Sequence, residues 1–166
     1  MKTPSDADEP RWLTEDEQRS WLAYRHAHML LEDHLDRQLQ RDAGMPHVYY
    51  GLLVKLSWAP RHRMRMTELA EAAKITRSRL SHAVARMEKD GWVRREDCPD
   101  DKRGQNAVLT DKGLKVLEET APGHVSAVRT AVFDRLTPEQ VEQFGTICQI
   151  IADGLQPEGA DLPWLR

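Results

Sequence analysis

Three features of the 166-residue sequence predict a mainly α-helical chain with one small β-hairpin. Apolar residues recur every three or four positions over most of its length, the period of a helix buried on one side. Near the middle two such stretches stand one tight turn apart, a short one at 67–73 and a longer one at 76–90. Directly behind them, at 92–109, two β-prone runs flank a charged, turn-rich segment. The order helix, turn, helix, hairpin defines a winged helix-turn-helix, here with long helices on both sides.

In chain order, residues 1–12 are polar, contain Pro4 and Pro10, and read as a flexible tail. Thr14-Glu15-Asp16-Glu17 has the form of a capping box, in which hydroxyl and carboxylate satisfy each other's backbone N–H groups at a helix start. The helix that follows carries Trp21, Tyr24, His28, Leu31, Leu35 and Gln38/Leu39 on one stripe, and Leu22 and Met29 widen it to a second face. Such a helix packs on more than its own core. It is either a central core helix or one shared with a partner chain, and we favour the second.

Gly44 ends this helix and Pro46 suits the first turn of the next, whose buried face is Tyr49, Leu52, Leu53 and Leu56. Residues 59–65 break the pattern and read as a basic linker, solvated or near phosphates. In the short helix Leu69, Ala70 and Ala73 point inward, and Lys74-Ile75 is the turn. Thr76 caps the longer helix, whose core face is Leu80, Val84 and Met87; Gly91 is its left-handed stop. Residues 92–96 and 106–109 are the hairpin strands, with a tip at 99–104.

Thr110 caps a helix through Leu114, Leu117, Ala121, Val125, Val128 and Val132, in which Pro122 is expected to produce a bend. Thr137-Pro138-Glu139-Gln140 opens a last helix with the stripe Val141, Phe144, Cys148, Ile151 and Leu155. In the tail, Leu162, Pro163 and Trp164 dock on a partner or on the first helix.

The formal net charge is −3, but its distribution is uneven. Residues 61–103 hold twelve Lys/Arg against eight Asp/Glu, net +4, and the rest holds twelve against nineteen, net −7. A basic middle between acidic flanks is the footprint of a polyanion partner. Two cysteines make neither a disulfide framework nor a zinc spacing. With no signal sequence and no membrane-length apolar run, the expectation is a reduced, cytoplasmic protein.

A helix fits the DNA major groove, and a helix-turn-helix presents the start of its second helix to base edges. Thr76, Arg77, Ser78, Arg79, Ser81 and His82 occupy that position. An ordinary amphipathic helix with a solvated polar face is the bland alternative. The hairpin changes the balance, because Lys102 and Arg103 at its tip can enter the adjacent minor groove, with Asp101 two residues away to orient the guanidinium.

Leu-Ser-His-Ala-Val-Ala-Arg-Met-Glu-Lys-Asp-Gly-Trp-Val-Arg-Arg, followed by Asp-Asp-Lys-Arg-Gly and then Leu-Thr-Asp-Lys-Gly, resembles the MarR family of winged-helix regulators over nearly the whole chain. Ala107 departs from the family pattern, where a larger β-branched residue is usual. The resemblance implies a homodimer with interleaved terminal helices (13–43 and 111–166) and a DNA-binding domain at 46–110. It further implies a pseudo-palindromic operator and release by a small aromatic or phenolic ligand or by an oxidant; repression is expected separately, because a dimer covering a promoter blocks polymerase by occupancy alone. Asp101 and Arg103 carry over by position.

Family ligands lie between the dimer helices and the winged domain; Trp21, Tyr24, Arg25, His28, His47 and Tyr50 are candidates to line that cleft, or are ordinary core-edge residues. Cys98 is placed at the base of the hairpin and Cys148 in the core. His26 and His28 face different ways, and with His34 they complete no tetrahedral set, so neither metal nor cofactor is expected. Ser81-His82 diverge on a helix and there is no glycine-rich phosphate loop, which argues against an enzyme. A redox-responsive regulator of the same fold, and a helical interaction protein without DNA binding, are the competing readings.

Overall fold

Side chains that can close on their own backbone mark most of the helix starts. The computed structural model describes residues 10–98 and 101–155, and of residues 101–103 the backbone alone. The first helix, α1 (Glu15–Ala43), begins with the capping box closed. The Thr14 N–H donates to Glu17 Oε2 at 2.7 Å, and the Glu17 N–H to Thr14 Oγ1 at 3.2 Å. Gly44 ends it at φ +63, where a side chain would be strained. Pro46 lies one position earlier than expected, as the N-cap of α2 (His47–Trp58) rather than inside its first turn.

The chain forms two compact units, one ending at His34 and the other beginning at Leu35. Within the first, Trp21, Leu22, Tyr24, Met29 and Leu30 all lie exposed along α1. In the second, Leu39, Leu52, Leu53, Leu56, Leu69, Val84 and Met87 are fully buried and form one core. Tyr50, rather than Tyr49, is the tyrosine that turns into it; Tyr49 is only half-buried.

Residues 59–65 are not an unstructured linker, although Pro60, Arg61, His62 and Arg65 are exposed as expected. A 3₁₀ turn (Pro60–His62) leads into β1 (Arg63–Arg65), which pairs antiparallel with the last strand, Met64 opposite Ala107. Met64 packs on the core between two arginines, a period-2 pattern too short to stand out among basic residues. α3 (Met66–Ala72) and α4 (Arg77–Lys89) follow, joined by a turn in which Lys74 takes φ 52. Gly91, at φ +76, ends the pair.

The hairpin strands are longer than expected, β2 (Val93–Cys98) and β3 (Asp101–Leu109), and the sheet order is β1-β3-β2. Asp101 to Gly104, read from sequence as tip, therefore belong to β3. Cys98 pairs with Asp101, so it lies at the tip end of the hairpin, buried, and not at its base. Ala107 is fully buried, opposite Met64 and Arg95.

Thr110 caps α5 (Asp111–Ala131), its Oγ1 accepting from the Gly113 N–H at 3.0 Å and donating to the Gly91 carbonyl at 2.7 Å. Pro122 lies within this helix. After a 3₁₀ turn (Phe133–Arg135), α6 (Pro138–Leu155) opens on a second reciprocal box, Thr137 N–H to Gln140 Oε1 at 2.9 Å and Gln140 N–H to Thr137 Oγ1 at 3.3 Å. No residue of α6 is buried, and Cys148, expected in the core, is exposed. Of the expected tail, residues 1–9 lie outside the described residues, as do Leu162, Pro163 and Trp164.

Candidate nucleic-acid interface

The start of α4 is fixed from both sides. Thr76, extended at φ −67 and ψ 152, accepts from the Arg79 N–H at 3.2 Å, which satisfies one of the free N–H groups of the first turn. Its hydroxyl hydrogen is left to donate outward. Below, Leu80, Ala83, Val84 and Met87 are buried and set the rotation of the helix. That rotation leaves Thr76, Arg77, Ser78, Arg79, Ser81 and His82 exposed together, two cations and four groups able to hydrogen-bond on one solvent-facing turn and a half. The wing residues Asp101, Lys102 and Arg103 have their backbone at the start of β3; their side chains lie outside the described residues.

Arg95, not singled out from sequence, ties β2 to this helix. Its N–H donates to Glu88 Oε1 at 2.9 Å and its Nη2 to the Ser81 carbonyl at 2.9 Å. On the other side of the sheet Glu96 holds Arg63 at 3.3 Å and Arg94 Nε at 3.0 Å, so two cations share one carboxylate and the surface stays positive. Strand alternation hints that Arg94 and Arg95 face opposite ways, but only tertiary packing decides which of them meets α4.

The candidate ligand residues fall into two groups. In the first unit, Trp21, Tyr24 and His28 stack along α1, with ring centroids 5.8 Å and 6.0 Å apart, and the Arg25 guanidinium lies 5.7 Å from the Trp21 ring. In the second, His124 of α5 lies 4.4 Å from Tyr50 and 5.5 Å from His47 between centroids, with its Nδ1 3.2 Å from Gln38 Oε1. Burial, and then the neighbouring His47, hold His124 below the usual histidine pKa, while burial pushes the Tyr50 phenol up. His124 and Gln38 were missed as site residues because only contact between helices distant in sequence brings them together. Among the described residues no group of three His, Cys, Asp or Glu is placed to hold a metal ion, and no helix is long and apolar enough to cross a membrane.

A helix-turn-helix backed by a three-stranded wing defines a winged-helix protein. The sequence model of the MarR family matches residues 43–104. A crystal structure of Sco3205, a MarR family transcriptional regulator from Streptomyces coelicolor in complex with DNA, is 75% identical with a TM-score of 0.85, over 96% of this chain and 99% of that one. The transcriptional regulator HosA of Escherichia coli O111:H- is 31% identical over 74% of this chain and 88% of its own length. The HTH-type transcriptional repressor YetL of Bacillus subtilis is 31% identical over 61% of this chain, and the match spans only 60% of YetL. The chain belongs to the MarR family of transcriptional regulators.

Proposed function

We propose that this chain is a sequence-specific DNA-binding regulator that acts as a homodimer on a pseudo-palindromic operator. The observation that carries the reading is the exposed polar face 76–82 beside the β2–β3 hairpin, in a chain 75% identical to a protein crystallised with DNA. Arg77 and Arg79 suit guanine edges, and Thr76, Ser78, Ser81 and His82 suit bases or phosphate. Lys102 and Arg103 anchor the wing in the minor groove, with Asp101 orienting the arginine.

The dimer reading is supported by apolar surface. Phe144, Ile147, Ile150 and Ile151 lie 46–66% exposed on α6, and Trp21, Leu22, Met29 and Leu30 are 51–59% exposed on α1; large apolar side chains grouped on a helix and open to solvent mark an interaction surface. A second copy covers both faces, and its two-fold axis sets a two-fold operator. A dimer seated on a promoter blocks polymerase by occupancy, which makes repression the expected mode. A small aromatic ligand at the Trp21, Tyr24, Arg25 and His28 stack or at the His47–Tyr50 cluster relieves it.

The test is a salt titration of duplex binding by fluorescence anisotropy. Arg103→Ala in a folded dimer weakens binding and lowers the slope of log K against log salt by about 0.9 for each phosphate no longer neutralised. Unchanged affinity removes the wing from the interface.

A further inference from the structure

Arg95 of β2 is attached to α4 at two places. Its backbone N–H donates to Glu88 Oε1 at 2.9 Å, near the end of the helix, and its Nη2 donates to the Ser81 carbonyl at 2.9 Å, within the polar face 76–82. Nη1 stands 3.6 Å from Glu88 Oε2 and keeps the guanidinium beside that carboxylate. Ser81 and Glu88 are two turns apart, about 10 Å along the helix axis. The side chain holds this position although its Nε is buried with no hydrogen-bond partner among the described residues. A buried, unpaired N–H is destabilising, and an apolar side chain would pack there without it.

Apolar packing and this arginine constrain α4 differently. Leu80, Ala83, Val84 and Met87 set which face of the helix turns inward, but burial is non-directional and tolerates small tilts and slides. A charge-assisted hydrogen bond is directional and weakens steeply when its geometry is lost. Fixed to β2 at both Ser81 and Glu88, α4 can neither pivot nor slide against the strand that runs to the hairpin tip. We propose that Arg95 is a positioning residue that couples the wing to base reading, so that seating the hairpin on DNA fixes where 76–82 meet the bases; the inference rests on the DNA-binding reading above.

The experiment uses the full-length protein, a duplex enriched by selection from a random pool, and an unrelated duplex of equal length. The readouts are the ratio of the two affinities, the salt slope, and the coupling between Arg79→Ala and Arg103→Ala. A lower folded fraction scales both affinities alike and leaves their ratio untouched, so the ratio separates positioning from stability. Arg95→Lys keeps the charge but has a single nitrogen and no planar fork. It lowers the ratio about tenfold, as misplacing one base-reading contact does, while the salt slope stays at the wild-type value. In the wild type the effects of Arg79→Ala and Arg103→Ala depart from a simple product by at least about twofold; with Arg95→Lys they multiply independently. Arg94→Lys, held by Glu96 on the other side of the sheet, is the matched control and keeps the wild-type ratio. If Arg95→Lys does not fold, Glu88→Ala releases the other attachment and lowers the ratio in the same way. A wild-type ratio and coupling in these variants, or an equal fall in Arg94→Lys, overturns the positioning role while leaving DNA binding intact. A wild type that binds no duplex overturns both.

Discussion

Replacing Gly113 by alanine puts a methyl carbon 2.1 Å from the Trp92 carbonyl oxygen and 2.8 Å from Leu109 Cδ1. Helix propensity alone predicts a gain of about 1 kcal/mol for this change, because Gly113 lies in the first turn of α5. Packing predicts the opposite. An ordinary carbon–oxygen contact is about 3.3 Å, so the start of α5 must retreat from the Gly91–Trp92 turn by more than about 1 Å. That turn is held by the same segment: the Thr110 N–H donates to the Trp92 carbonyl at 3.0 Å, and Thr110 Oγ1 donates to the Gly91 carbonyl at 2.7 Å. The neighbour is backbone and cannot rotate aside, so the cost belongs at the top of the overpacking range, about 3 kcal/mol. In thermal unfolding at fixed protein concentration this is a loss of about 6–12 °C. Gly51→Ala is the matched control: its new methyl meets nothing within 4 Å, and it raises stability by about 0.5–1 kcal/mol. Gly113→Ala at or above wild-type stability would refute the packing argument.

Two further outcomes concern the His124 cluster and the open face of α6. Because His124 is held below the usual histidine value by burial and then by His47, the unfolded chain binds a proton that the folded chain resists. Stability therefore falls as pH drops from about 6.5 through the folded value and levels off below it; urea midpoints of His124→Gln fall less between about pH 7.5 and about pH 5.5 than those of the wild type, and equal declines would discount His124. Ile150→Glu places a carboxylate on the exposed face of α6, 66% exposed in the single chain. Buried without a partner in a dimer it costs about 3–5 kcal/mol, so light scattering should find a folded monomer; a dimer as stable as the wild type takes α6 out of the interface.

Local chemistry is legible in the sequence, and long-range pairing is not. The starts at Thr14, Thr76, Thr110 and Thr137 can be read because cap and backbone partner lie three residues apart. The polar face 76–82 is contiguous, so its exposure follows from the core spacing of Leu80, Val84 and Met87. β1 is hidden because three residues give one alternation, and its partner Ala107 is some forty positions away. Cys98 is expected at the wrong end of the hairpin because the charged residues 101–103 and Gly104 read as turn, whereas pairing with β2 extends this segment into strand. The stripe on α6 reads as core in its Cys148, but burial there needs a surface the single chain does not supply. Arg95 passes as one of two strand arginines until α4 gives it Glu88 and Ser81.

Selection of bound duplex from a random pool tests the two-fold DNA clamp most directly. The enriched sequences should contain an inverted repeat whose half-sites are centred about one helical turn, roughly 10 bp, apart. Enrichment of a single unrepeated site, or of no sequence at all, would contradict a homodimer that reads DNA through two copies of α4.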